Sequence, residues 1–408
     1  MTHTTRPCPV CGSLSRRLVF EQRFERVAGS PITGYDVVVC GDCGMAFADG
    51  IPDQDTLAAH YREMSSYEYG QREGRESDHD RARLEIVARD FERFLPSRAL
   101  RVLDVGCASG RLPACIKEHG YAHVMGVDPS PACAEAARRL YGIEVVVGTV
   151  EDCGLNERTF DAISLVGVLE HMVDLHRSLA GVARLLAAGG LVYLEVPDAT
   201  RFADFPNAPF QDFSTEHINF FGPVSLDNLM GRHGFTRVEQ IRNSRVQSHA
   251  SVMSNISAAY RFDGNAGRPL AHDRASEEGL VRYVESCRAE EARVAAAIAG
   301  LVDSGAPLIV WGVGTHTSRL LATSRLAQAR IVAFIDSNVH YQNKELIGVP
   351  VLPPAALRTR GERVLVSSRP FQTEIAEQIR AMGCPNELIL LYPPAPTDGG
   401  AAGARAAT

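Results

Sequence analysis

The chain has no surplus of basic residues. Its 42 Lys and Arg stand against 49 Asp and Glu, a formal net charge of −7. Phosphate backbones are bound with excess cationic side chains, so this balance argues against a nucleic-acid partner. A long apolar run is also missing. A membrane helix needs about 20 apolar residues. The segment near Leu185–Val196 is broken by Gly189-Gly190 and takes in Glu195. The opening Met1-Thr2-His3-Thr4-Thr5 lacks the apolar core of a signal peptide. A cytoplasmic protein with no membrane partner is expected. The ten cysteines are unevenly spaced. Cys107, Cys115, Cys133, Cys153, Cys287 and Cys384 lie among apolar neighbours and read as buried reduced thiols, Cys107 as a small space-filler.

What the chain does have is strand-helix alternation. At 408 residues it suits about three domains. Residues 1–80 are short strands and turns. From 81 to 245, strands are predicted at Arg101–Val105, Val124–Asp128, Glu144–Gly148, Ala162–Val166 and Leu191–Val196. Helices at Leu112–His119 and Ala132–Tyr141 lie between them and are closed by Gly120 and Gly142. Such alternation means an α/β fold with a parallel sheet covered on both faces. Residues 246–395 begin with a bridge. Within it Ser276–Leu301 reads as a long amphipathic helix with a stripe of Val281, Val284, Ala292, Val294 and Ile298. A second Rossmann-like series follows, with strands at Leu308–Trp311, Ile331–Ile335, Arg363–Val366 and Glu387–Leu391. Residues 396–408 carry almost no apolar bulk and are expected to be disordered.

Two cysteine pairs stand out in the first segment. Cys8-Pro9-Val10-Cys11-Gly12 and Cys40-Gly41-Asp42-Cys43-Gly44 are matched knuckles. Thiolates two residues apart can bite one ion, and the glycine after the second lets the backbone turn. Four thiolates close a tetrahedron round Zn²⁺ with no open position, so a structural role is expected.

The cofactor signal is Val102-Leu103-Asp104-Val105-Gly106-Cys107-Ala108-Ser109-Gly110. It reads as a strand, a tight turn at Gly106, a small residue at Ala108, and Gly110 where the next helix packs on the strand. Asp128 ends the second strand, placed to hold both ribose hydroxyls. Glu151 and Asp152 follow the third strand, where an acidic turn can meet an adenine amine. The fourth strand ends in Leu169-Glu170-His171. An adenosine-type cofactor follows, and Asp104 at the head of the turn disfavours NAD. Together these motifs resemble the class I S-adenosylmethionine-dependent methyltransferases, with Ala108 where that family usually has a glycine. The resemblance implies S-adenosyl-L-methionine as cofactor.

A third signal follows the fifth strand. Phe210-Gln211-Asp212-Phe213-Ser214-Thr215-Glu216-His217-Ile218-Asn219-Phe220-Phe221 sets aromatics round a Glu-His pair. A His in a dry pocket can be neutral near pH 7 and accept a proton. His217 is therefore the candidate base, with Glu216, His171 and Tyr67 as further catalytic candidates. Asn219 is grouped with the substrate contacts. In the second series Gly312, Gly314, Thr315 and Asp336 repeat a strand-turn-helix with an acid ending the next strand. Backbone amides at a helix start favour phosphate.

From Cys8 to about Tyr392 the chain resembles the three-domain, zinc-containing sugar C-methyltransferases. The resemblance implies methylation of a carbon next to a ketone, on a sugar carried by a nucleoside diphosphate. His217 would match that family's base, and Glu216, His171 and a tyrosine near Tyr67 its helpers. The second Rossmann-like sheet would hold the nucleotide, or only close the cleft. Members acting on 4-keto sugars usually carry Tyr and His before the Glu-His pair, whereas this chain has Ser214 and Thr215. An O- or N-methyltransferase on a related substrate therefore stays open. An RNA base methyltransferase and a non-catalytic S-adenosylmethionine sensor are the remaining alternatives.

Overall fold

The computed structural model describes residues 5–26, 30–60, 62, 78–95, 97–205, 207–248 and 251–393. These residues form three sheets. The tail expected from 396 onward lies outside them, as does Tyr67.

The first sheet is antiparallel, in the order Arg16–Arg23, Gly34–Cys40, Ala46–Asp49 and Asn219–Phe220. Its last strand comes from the segment that carries Glu216 and His217. The phenylalanines of that segment explain the docking. Phe210 stacks on Phe20 with ring centroids 4.1 Å apart. Phe213 packs edge-on against Phe220 at 5.1 Å and Tyr283 at 5.2 Å. Aromatic pairs in this geometry add to the gain from burial alone.

The central sheet has the order Phe235–Ser248, Ser251–Phe262, Leu186–Pro197, Phe160–Val166, Arg101–Val105, His123–Asp128 and Val145–Val147. The last five strands run parallel. Val102, Leu103, Ile163 and Leu165 are fully buried because helices cover both faces. Chain order reverses between Arg101–Val105 and its neighbour Phe160–Val166. Ligands of open α/β sheets bind at the carboxyl ends of strands beside such a switch.

The hairpin Phe235–Ser248 and Ser251–Phe262 extends this sheet antiparallel. The expected boundary at 245 therefore falls inside a strand. The hairpin hides its character because its buried positions include Arg245, Ser254, Asn255 and Ser257. Arg245 reaches across Ser251–Phe262 to Glu195 on Leu186–Pro197 at 2.9 Å, and Ser257 on the strand between donates to the same carboxylate.

Helix Arg274–Ser304 starts at Asp273, whose side chain accepts from Ser276 N. Of the expected stripe, Val284, Val294 and Ile298 are buried, whereas Val281 and Ala292 face outward. Leu280 and Tyr283 take the inner face instead. The third sheet has the order Glu345–Leu346, Val349–Leu352, Ile331–Ile335, Leu308–Trp311, Arg363–Val366 and Leu388–Leu390. It is parallel except for the edge hairpin.

One buried amide joins all three parts. Gln22 is fully buried, and its Nε2 donates to the carbonyls of Phe213 at 2.8 Å and Phe210 at 3.4 Å. Its Oε1 accepts from Arg319 Nε at 3.0 Å. Arg319 lies over the Phe210 ring and pairs with Glu291 of the long helix. Gln22→Leu would remove the donor to the Phe213 carbonyl and the acceptor for Arg319 Nε, at about 2–4 kcal/mol. The first thermal transition should fall by roughly 5–10 °C, read by scanning calorimetry. An unshifted first transition would contradict the keystone role.

Candidate active site

The cleft is built at the switch point of the central sheet. Strand Arg101–Val105 ends in a turn before helix Arg111–Glu118. Gly106 has φ 69°, and a Cβ there would meet Val168 at 2.8 Å. Ala108 sits at φ 46°, a left-handed conformation that costs a non-glycine residue about 1–2 kcal/mol. The turn is held by Asp128. Its Oδ2 accepts from Ala108 N at 2.8 Å and its Oδ1 from Ser130 N at 2.9 Å. Each oxygen keeps a further lone pair for a ligand hydroxyl. Burial pushes this carboxyl above the ordinary aspartate range.

A cleft of about 350 Å³ opens beside the turn, lined in part by Gly106, Ala108, Asp128, Glu151, His171 and Glu216. Glu151 accepts from Ser178 Oγ at 2.5 Å, and Ser178 also lines the cleft. These residues suit a nucleoside: a carboxylate at the second strand, an acid-hydroxyl pair at the third, and close backbone approach between. Gln54, Leu57 and Ala58 of the N-terminal module also line the cleft.

Other expected cofactor residues sit outside the lining. Asp104 lies beneath the turn and accepts from Ser164 Oγ at 2.5 Å. Burial pushes it up to about 7, against the lowering effect of that bond. Gly110 caps the helix, and a Cβ there would meet Ala137 at 2.7 Å. Asp152 is spent on its own turn, accepting from Thr149 N and Oγ1, and those bonds hold its pKa down. Cys107 fills the space beneath Gly126, where a Cβ would come within 2.3 Å of its sulfur.

Two histidines meet at the edge of the cleft. The rings of His171 and His217 stand edge to face with centroids 4.9 Å apart. His171 lines the cleft, and His217, half-buried, stands next to it. His171 Nδ1 lies 3.1 Å from the carbonyl of Glu216. A carbonyl only accepts, so Nδ1 carries the hydrogen and Nε2 the lone pair. That lone pair lies 3.9 Å from Glu170 Oε1. Desolvation lowers His171 to about 4, and desolvation with the neighbouring ring lowers His217 to about 3. Both are neutral at pH 7. Burial raises Glu170 to about 8, so it too is neutral, and its Oε2 has no hydrogen-bond partner among the described residues. The loop is set by Ser214, whose Oγ accepts from Glu216 N at 3.2 Å and His217 N at 3.1 Å.

Asn219 is a correction. It is buried, and its Nδ2 donates to the carbonyls of Leu169 at 2.8 Å and Met172 at 2.7 Å. Its Oδ1 accepts from Arg6 at 2.9 Å. The amide ties the two histidine segments together, buried away from the cleft lining. Arg6 was missed by sequence reading because it belongs to no motif, and Glu170 was read only as part of Leu169-Glu170-His171, with no role of its own.

The four knuckle cysteines converge. Cys8 and Cys43 sulfurs are 3.6 Å apart, and Cys11 and Cys40 sulfurs 3.4 Å. A ZnS₄ tetrahedron with Zn–S near 2.3 Å has edges of roughly 3.8 Å, and a disulfide is about 2.05 Å. All four sulfurs lie within 4.8 Å of one another, a donor set that could hold a thiophilic cation. The second knuckle abuts the long helix: Asp273 N donates to Cys43 O at 2.9 Å.

The third sheet repeats the first turn in shorter form. Gly312 has φ 107°, and Asp336 accepts from Val313 N at 2.9 Å and Asn338 N at 2.7 Å. Gly314 is the N-cap of helix Thr315–Thr323. Thr315 Oγ1 lies 3.3 Å from Thr215 Oγ1, so this helix start touches the loop that carries His217.

Residues 78–240 match the family described as a methyltransferase domain, and residues 306–390 the family described as C2185-like, N-terminal. The C-methyltransferase NovU of Streptomyces niveus is 27% identical over 342 residues, covering 80% of this chain and 78% of that protein. A ubiquinone biosynthesis O-methyltransferase of Methylocella silvestris is 29% identical over 198 residues, covering 47% of this chain and 73% of that one. Among solved structures, Burkholderia thailandensis 1,6-didemethyltoxoflavin-N1-methyltransferase aligns with TM-score 0.41 and 22% identity, over 54% of this chain and 97% of that one.

The contact beneath the turn gives a test. Gly126→Ala drives a methyl into the Cys107 sulfur, and overpacking of this kind costs about 1–3 kcal/mol. Adding Cys107→Ala should recover most of that loss, measured by thermal unfolding of both variants. Losses that simply add would mean that Cys107 is not the obstruction.

Proposed function

The chain is an S-adenosylmethionine-dependent methyltransferase, and from that premise we propose that it methylates a carbon next to a ketone on a nucleotide-linked sugar. His217 is the general base. The observation that carries this reading is the neutral His171–His217 pair beside the cleft. The likeness to a C-methyltransferase over most of both chains supports it.

Asp128, Glu151 and the Gly106–Ala108 backbone hold the cofactor, which supplies an electrophilic methyl when bound. The chain's own task is to make a carbon nucleophile. His217, neutral, takes the proton from the carbon beside the ketone, and the electron pair passes onto the ketone oxygen. A base with so low a pKa needs help as it gains charge. The forming imidazolium and enolate stabilise each other in a site where burial strengthens the attraction. His171, neutral with its Nδ1–H tied to Glu216 O, adds no positive charge that would oppose the transfer. Glu216 orients the substrate at the cleft wall. Gly312, Gly314, Thr315 and Asp336 take the nucleoside diphosphate, and the Thr215–Thr315 contact supports this by placing that turn beside the loop.

A second reading, O-methylation, is favoured by Ser214 and Thr215 and by the O-methyltransferase relatives. Incubating nucleotide sugars with labelled cofactor, and scoring C-, O- and N-methyl products, separates the readings. His217→Ala should cut turnover at least 10³-fold, in the range of lost general bases, with S-adenosylhomocysteine affinity kept. It should also stop solvent deuterium from entering the substrate carbon. The acid limb of kcat/KM, which reports the free enzyme, should fall below pH 5. Activity retained without His217, or an acid limb near 6.5, would remove it as the base.

The four cysteines are proposed to hold a structural Zn²⁺. Protein purified without chelator should carry about one zinc per chain by elemental analysis, as a Cys₄ site requires. Cys40→Ser should lose the metal and loosen the N-terminal module, while calorimetry still detects S-adenosylhomocysteine. Metal-free wild-type protein would rule the zinc out.

A further inference from the structure

We propose that Arg6 is a positioning residue for the histidine pair, and that through it the cysteine knuckle governs the geometry of the base. This rests on the reading of His217 as base given above.

The observation is a buried fork. Arg6 lies two residues before Cys8 and is 9% exposed. Its Nη1 donates to Ile218 O at 3.2 Å, the residue after His217. Its Nη2 donates to Val173 O at 2.8 Å, and to Met172 O at 3.4 Å just after His171. The same nitrogen reaches Asn219 Oδ1 at 2.9 Å. One guanidinium thus binds the backbone on the carboxyl side of both histidines. Asn219 Nδ2 completes the tie from the other direction.

The near end of Arg6 is held as firmly. Its backbone N donates to Asp49 Oδ1 at 2.7 Å, and Asp49 Oδ2 is 2.9 Å from Arg16 Nε. The guanidinium carbon stands 5.8 Å from the Phe47 ring centroid. The chain then enters the knuckle, where Cys8 N donates to Ser13 O and Gly12 N to Cys8 O. A planar fork with several donors suits several carbonyls at once, and a lysine ammonium cannot reproduce it. None of these bonds involves Asp128, Glu151 or the Gly106 turn. The carbonyl partners Met172 and Val173 line the histidine side of the cleft, so Arg6 should affect the placement of His171 and His217 far more than cofactor affinity.

The test compares Arg6→Met, Arg6→Lys and wild type at full length, with ¹⁵N-labelled histidine. In wild type the His171 Nδ1–H, held by Glu216 O, should give a slowly exchanging imidazole signal. In Arg6→Met that signal should shift or vanish. Affinity for S-adenosylhomocysteine should stay within about twofold, and kcat should drop about tenfold or more with little change in KM, as loss of alignment predicts. Arg6→Lys should recover part of kcat. Asn219→Ala, which loosens the same tie from its other side, should move the same imidazole signal, and it stands in if Arg6→Met fails to fold. An unchanged His171 signal in the folded variants, or parallel loss of cofactor affinity, would overturn the proposal. Because the imidazole signal needs no substrate, it tests Arg6 even if the proposed methylation fails.

Discussion

Two residues pairing with two others decide where the chemistry can sit. Ala46 and Phe47 of the N-terminal sheet ladder against Phe220 and Asn219. This edge holds the segment from Phe210 to Phe221 out of the central fold and against the cleft. The segment leaves the central sheet after Pro197 and returns for helix Pro223–Arg232. Without a strand to join, it would be a long loop, expensive to hold in one conformation. With the ladder, the aromatic cluster and the Gln22 amide, its backbone groups find partners away from water. The N-terminal module is thus a wall of the active site, and Gln54, Leu57 and Ala58 at the cleft are part of the same wall.

The electrostatics of the site follow from that enclosure. Beside the hairpin, buried carboxylates are met by opposite charges: Glu195 has Arg245, and Asp198 has Arg242 at 2.7 Å. Round the histidine pair the balance differs. Among the described residues Glu170 has no cation in hydrogen-bond contact, and His171 and His217 lie beside it. Desolvation disfavours each charged form, so all three groups rest neutral near pH 7. A proton arriving on one of them is then felt strongly by the others, because little water is present to screen it. The same enclosure leaves Glu170 Oε2 without a partner, the kind of exception to polar satisfaction that clusters at functional sites.

Much of the two parallel sheets was legible because their inner strands are buried on both faces. Arg101–Val105, Leu308–Trp311, Ile331–Ile335 and Arg363–Val366 were read to the residue. The hairpin Phe235–Phe262 was not, since its strands bury Arg245, Asn255 and Ser257 as well as apolar groups. The site was legible in part. Gly106, Ala108, Asp128, Glu151 and His171 line the cleft, because their roles follow from place in a strand-turn-helix unit. Asn219 was misplaced, and Arg6 and Gln22 were overlooked, for one reason. Each is polar and matters through partners from about fifty to more than two hundred residues away, separations that no local pattern encodes.

The third sheet shows how far one local unit can be varied. In both Rossmann-like sheets an aspartate ending the second strand binds backbone amides of the turn after the first: Ala108 and Asp128 in one, Val313 and Asp336 in the other. The turns differ in length. Residues 106–110 separate strand from helix in the central sheet, and only 312–314 do so in the third. The longer turn leaves room beside the strand ends for a nucleoside-sized cleft. The shorter one brings the start of helix Thr315–Thr323 close to its sheet and up to the loop carrying His217. Helix starts present unpaired amides and partial positive charge. That arrangement suits a compact anionic group shared between the third sheet and the loop, and a second cofactor of the same kind fits it poorly. In the reaction proposed above, the cofactor's nucleoside would take the longer turn and the substrate's phosphate the shorter, each used for the ligand its length allows.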